Sequence, residues 1–213
     1  GFYGFFSPRF EEKTGFTPEF TYQTVQENFD KDAVLFSSGW DQLCFYQNPW
    51  EQGEEHHPGI TKATQDFLDY ANIPVDIRTV VSTRATAVFS NFIVAKATYW
   101  KKWARLASKF LEYCSYTANE LDRVNTNHRS APMPLWVFIL ERLPALILAD
   151  KTLKTVVAES SKSVIWPGSE EKLKRCDVVK ELIQKNGLQK QLLEEYSALR
   201  LSILREYHIN TNS

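Results

Sequence analysis

Sulfur is scarce in this chain. Three cysteines, Cys44, Cys114 and Cys176, stand far apart with no CxxC pair, and methionine occurs once. That excludes a disulfide framework and a cysteine zinc knuckle, and it predicts free thiols in a reducing compartment, the cytoplasm by default. Net charge is missing too: 25 basic against 26 acidic residues leave a formal charge of −1, so no global field attracts nucleic acid or an anionic membrane. Any phosphate site must be local. The most apolar run, residues 135 to 149, is too short to span a bilayer and holds Glu141, Arg142 and Pro144. Repeats and low-complexity tracts are absent. The chain opens at Gly1 with no methionine and no signal-like segment, which predicts an amino terminus truncated from a larger parent protein.

What is present suits a packed core. With 43% hydrophobic and 14% aromatic residues, 213 residues can bury a full domain, which excludes disorder. The order of patterns predicts a mixed α/β domain over residues 1–158 and a helical carboxyl-terminal extension over 159–213. Thr17, Pro18 and Glu19 read as cap, first-turn proline and first-turn acid of a helix reaching about Phe29. Ala33 to Phe36 reads as a short strand ended by Ser37-Ser-Gly39, with Trp40, Asp41 and Gln42 in the loop beyond it. Ligands of α/β sheets bind past the carboxyl ends of strands, so Asp41 is the leading candidate there. The alternative is a turn aspartate bonding its own backbone.

The most informative stretch is Val88-Phe-Ser-Asn-Phe-Ile-Val-Ala95. It reads as a buried strand holding one polar side chain, Asn91, before a helix capped by Thr98 with Trp100, Ala104, Ala107, Leu111 and Cys114 on its inner face. An amide buried there must find a partner, whether a neighbouring backbone group, a water or a ligand. Residues 47 to 59 read as a long polar loop concentrating Glu51, Glu54, Glu55, His56 and His57. His56, His57 and Glu55 are candidate metal ligands, though adjacent histidines rarely meet on one ion and the HExxH spacing is lacking. A helix is expected from Thr61 to Tyr70, a strand at 77–81 flanked by Arg78 and Arg84, and a loop at 115–134 that could serve as a lid. Pro144 should break the next helix. A strand is expected within 151–157, then a helix from Ser169 to Asn186-Gly187. A last helix carries the stripe Leu188, Leu192, Tyr196, Leu199, Ile203 and Tyr207.

Phe89-Ser-Asn-Phe-Ile-Val-Ala-Lys-Ala-Thr-Tyr-Trp-Lys-Lys-Trp103 resembles the late strand and helix of nucleotide-sugar glycosyltransferases of the GT-A type. Tyr3-Gly-Phe-Phe-Ser-Pro-Arg-Phe10 and Leu140-Glu-Arg-Leu143 are similar, in order, to bacterial capsular-polysaccharide and O-antigen synthesis proteins. The pattern departs at Phe92, where those enzymes often carry a small residue, and at Asp30-Lys-Asp32, an Asp-x-Asp that precedes its strand. The resemblance implies a GT-A-like fold and transfer of a sugar from a nucleotide-sugar donor to a hydroxyl of a glycan acceptor. The enzyme would be cytoplasmic or peripheral to the inner membrane, with manganese or magnesium as the associated cation and a homo-oligomer or a larger protein as its setting. Under it, Arg9 or Arg84 would face phosphate, and Asn91, Asp41 and Gln42 would hold sugar hydroxyls. Trp40 or Trp50 would stack on a sugar face, and Glu54 or Glu141 would be the base. Two rivals stay open: a metal-dependent hydrolase using the Glu/His stretch, and a non-catalytic module of a larger glycan-synthesis protein.

Overall fold

The computed structural model describes residues 1–121, 125–128, 131–159 and 165–211. The fold is mixed α/β and mostly helical. A four-stranded sheet has the order β1 (Phe2–Gly4), β3 (Ile93–Lys96), β2 (Ala33–Leu35), β6 (Thr155–Val157). Strand β3 is antiparallel to both neighbours, with Gly4 opposite Val94 and Leu35 opposite Ile93, whereas β2 and β6 are parallel. The carboxyl ends of β1, β2 and β6 and the amino end of β3 therefore share one edge of the sheet.

Alternation along the strands sends side chains to two faces. Val34, Phe36, Phe92 and Val94 meet Phe10 and Phe16 under α1 (Phe10–Thr14), and α2 (Pro18–Glu27) lies beyond them. Ala33, Leu35, Ile93 and Ala95 pack on Tyr99, Trp100 and Trp103 of α6 (Ala97–Leu121) and on Ile147 and Leu148 of α8 (Pro144–Leu148). A second, all-helical core joins Trp50 of α4 (Pro49–His56), Phe67 and Leu68 of α5 (Ile60–Tyr70), Phe110 of α6, and Phe138 and Ile139 of α7 (Leu135–Arg142). At the carboxyl end, α9 (Glu170–Asn186) and α10 (Lys190–Thr211) enclose α3 (Trp40–Phe45). The buried Lys180 ammonium donates to the carbonyls of Leu43 and Tyr46, and Tyr196 Oη donates to Phe45 O at 2.6 Å. These donors satisfy carbonyls that the end of a short helix leaves open. Burial pulls the Lys180 pKa down to about 8.

Several expected elements change. Residues 49–56, expected in a loop, form α4: Asn48 Oδ1 accepts from the N–H groups of Trp50 and Glu51 at 3.0 and 2.9 Å, and Pro49 occupies the first turn. Trp40, Asp41 and Gln42 lie on α3, not in a loop. The strand expected at 77–81 is a 3₁₀ turn, Ile77–Thr79, capped by Asp76. Within the expected loop at 115–134, α6 continues to Leu121, and β4 (Asn125–His128) pairs with β5 (Ala131–Pro134); 122–124 and 129–130 lie outside the described residues. Helix α6 starts before Thr98 and buries Tyr99, Ala107 and Phe110, while Ala104 and Leu111 face outward. The stripe expected on the last helix is buried at Tyr196 and Ile203 but exposed at Leu188 and Tyr207.

Candidate functional site at the sheet edge

The strand predicted from Val88 begins only at Ile93, because the chain first makes a tight turn. Ser90 and Asn91 both adopt left-handed backbone, with φ of 60° and 55°. Consecutive left-handed non-glycine residues cost about 1–3 kcal/mol each, and such strain gathers where a site requires it. Asn91 is thus at the entry of β3 rather than inside it, on the sheet edge that also receives the end of β2. Its Oδ1 is buried with no hydrogen-bond donor among the described residues. An unsatisfied amide oxygen in a strained turn is a place where a ligand or water donor can bind.

Two segments reach this turn. After β2, Phe36 N donates to Phe92 O at 2.9 Å, and Ser37 Oγ accepts from Phe89 N at 2.9 Å, which locks the Ser37-Ser-Gly39 loop against the Asn91 turn. Gly39 has φ of 69°, a conformation that suits glycine, and leads into α3. After β1, the chain enters α1, whose Lys13 donates from Nζ to Ser90 Oγ at 3.0 Å and sits 5.8 Å from the centre of the Phe92 ring. Lys13 is a cation at the site with no ion-pair partner among the described residues.

Asp41 is at this edge but fully enclosed. One carboxylate oxygen accepts from Ile165 N, and Oδ1 has no partner among the described residues. Burial pushes its pKa up, only partly offset by the backbone donors. Beneath Gln42 lies a buried polar chain. Gln42 Oε1 accepts from Gln52 Nε2 at 3.0 Å, and Gln52 Oε1 accepts from Arg142 Nη2 at 2.8 Å. Arg142 also donates to Pro49 O at 2.8 Å and Phe138 O at 3.0 Å, and its burial pulls its pKa down to about 10. The space for this guanidinium comes from Gly53: a Cβ there would stand 2.7 Å from Arg142 Nε.

Arg9, Arg84, Glu54 and Trp50 do not take the roles expected of them. Arg9 is held by Glu12 at the exposed start of α1, so Lys13, one turn on, is the cation at the turn. Arg84 is not free for phosphate: its backbone N and Nε donate to Asp177 at 3.1 and 2.9 Å, and Nη1 meets Glu159 at 3.2 Å. Glu54 caps α5, its two oxygens accepting from Gly59 N at 2.5 Å and Thr61 N at 3.1 Å, which removes both from a role as base. Burial raises its pKa, but these donors outweigh that and leave it below the usual carboxylate range. Trp50 is wholly buried and cannot stack on a sugar, and Trp40 packs toward the α9 and α10 core. Glu141, expected to face the cleft, has Oε2 at 4.0 Å from Nη1 of Arg142, its neighbour in sequence. No hydrogen bond or ion pair joins it to Asn91 or Asp41 among the described residues.

His56 is exposed, His57 stacks on Phe138 with ring centres 3.6 Å apart, and Glu55 accepts from Tyr46 Oη at 2.6 Å. Asp30 pairs with Lys31, and Asp32 with Lys96 and Lys154 N, before β2 and so at the opposite edge of the sheet. Among the described residues no three His, Cys, Asp or Glu side chains converge as metal ligands. No helix there is long and apolar enough to cross a membrane. Comparison of the chain with protein-family models, with curated proteins and with solved structures finds no match.

Proposed function

We propose that this chain is a GT-A-like glycosyltransferase that takes a sugar nucleotide at the shared sheet edge and transfers its sugar to a hydroxyl of a glycan. The observation that supports this most is the Asn91 turn: two strained residues hold a buried amide oxygen without a donor among the described residues, beside a lysine without an ion-pair partner among them. A sugar hydroxyl supplies the missing donor, and a diphosphate matches the lysine. The three segments that resemble glycan-synthesis enzymes also contribute to this region. Residues 3–10 lead into the helix bearing Lys13, residues 89–103 supply the turn and β3, and residues 140–143 supply Arg142 beneath Gln42.

In this reading Lys13 stabilises charge on the departing diphosphate, and Asn91 orients the sugar through a hydroxyl that donates to Oδ1. Glu141, whose oxygens hold no backbone donor among the described residues, is assigned the acceptor proton. The GT-A-like assignment itself draws on the parallel β2–β6 pair and the loop-to-helix passage after β2.

A thermal-shift screen against UDP, GDP, CMP and dTDP sugars, with and without manganese, tests the proposal. A ligand at 100 times its Kd stabilises the folded state by about 2.7 kcal/mol. At least one sugar nucleotide should raise the Tm of the wild type and fail to do so for Asn91→Ala. No shift with any of them contradicts the proposal.

A further inference from the structure

Arginine can only donate hydrogen bonds, and that one-sidedness is felt two side chains away. Arg142 Nη2 donates to Gln52, so the Gln52 atom facing it is the carbonyl oxygen, and the Gln52 amide group must point the other way. There it donates to Gln42, which turns Oε1 of Gln42 inward. The Gln42 Nε2 amide is left facing outward, 3.1 Å from the position a Cβ on Gly39 would occupy, and no acceptor meets it among the described residues. The identity of the outermost atom is therefore set by a guanidinium buried two side chains below.

We infer that Arg142, acting through Gln52, is a positioning residue that makes Gln42 a hydrogen-bond donor at the Ser37–Gly39 loop, so that the ligand group bound there is an accepting oxygen. This rests on the sheet edge being the sugar-nucleotide site, and it adds a polarity to it: Asn91 Oδ1 takes a donating hydroxyl, and Gln42 takes an acceptor. The accepting oxygen belongs either to a phosphoryl group or to a sugar hydroxyl.

Gln52→Glu reverses the chain without changing its shape. The introduced carboxylate accepts from Arg142 and cannot donate to Gln42, so Gln42 rotates to donate inward and presents Oε1 to the loop. A buried guanidinium also gains a carboxylate partner, so the melting temperature should hold or rise. Gln42→Glu gives the same reversal at the mouth without altering the residue next to Arg142. Two readouts separate this inference from the site assignment. In the first, which needs no ligand, side-chain amide NMR of the wild type should show a cross-relaxation peak between the Gln42 NH₂ and the Gly39 Hα protons. Gln52→Glu should abolish that peak and slow Gln42 NH₂ exchange about tenfold. An unchanged peak in Gln52→Glu overturns the relay whatever binds. In the second, calorimetry with the sugar nucleotide giving the largest thermal shift should show a Kd at least tenfold weaker in both variants. Equal loss for the bare nucleoside diphosphate assigns the oxygen to phosphate, and loss only for the full sugar nucleotide assigns it to the sugar. Unchanged Kd in both variants overturns the donor role of Gln42. If the wild type binds none of these probes, the ligand half falls with the site, and the relay is still judged by the NMR peak.

Discussion

Gly53→Ala is predicted to destabilise the protein, against the direction that helix propensity alone gives. Gly53 lies inside α4, where alanine is ordinarily better by about 1 kcal/mol. The added Cβ would stand 2.7 Å from Arg142 Nε and 3.1 Å from both Cζ and Nη2. An exposed arginine would swing aside at little cost. This one is buried and fixed to Pro49 O, Phe138 O and Gln52 Oε1, so any shift stretches charged hydrogen bonds with no water to replace them. Such bonds are each worth about 1.5–3 kcal/mol, and losing one or two outweighs the propensity gain of about 1 kcal/mol, for a net loss of about 0.5–5 kcal/mol. Urea unfolding at constant m-value reads this directly. An alanine variant more stable than the wild type by about 1 kcal/mol would show that Arg142 is free to move and that its bonds do not hold Gly53 in place.

Asn48→Ala removes a cap from α4 and one of two donors to each of Ile77 O and Val80 O, which keep Val80 N and Gln47 Nε2, so a loss of about 1–2 kcal/mol is expected in the same assay. Asp41 has a folded-state pKa above its unfolded value, so the native state binds the extra proton and loses stability as pH rises from about 4 through the folded pKa. Melting curves should show the Tm of Asp41→Asn gaining on the wild type across that window and levelling above it; a gap independent of pH would mean the carboxyl is not perturbed. Glu141→Gln, which keeps the shape, should fold normally and transfer sugar far more slowly; wild-type turnover would leave Glu141 a structural role only.

Local signals in the sequence place much of the frame. Thr17 and Pro18 start α2, Pro144 separates α7 from α8, and Gly187 ends α9, because caps and breakers act within a few residues of themselves. Helix α4 is legible in Asn48-Pro49, a cap followed by a first-turn proline, but the glycine, proline and charge that follow speak for a loop. Gly53 is there for Arg142, 89 positions on, and composition cannot carry that contact. The inner face of α6 is only partly legible: Trp100, Ala107 and Cys114 pack as expected, whereas Tyr99 and Phe110 are buried in place of Ala104 and Leu111, because neighbouring positions lie about 100° apart and only the sheet selects between them. Asn91 stands out as a polar residue in an apolar run, whereas its left-handed turn does not. Lys13 is hidden for another reason: a surface-type lysine acquires meaning only when folding brings it to Ser90, 77 residues away.

If the edge built by the ends of β1 and β2 and the start of β3 receives a sugar nucleotide, its backbone must respond to one. Backbone hydrogen exchange, with and without the sugar nucleotide that gives the largest thermal shift, reads that response residue by residue. Protection should rise in residues 37–42 and 88–92 and in the helix bearing Lys13, and should be lost in Asn91→Ala. Protection confined to α9 and α10, or no change anywhere, would place the ligand elsewhere or nowhere and end the case for a site at this edge.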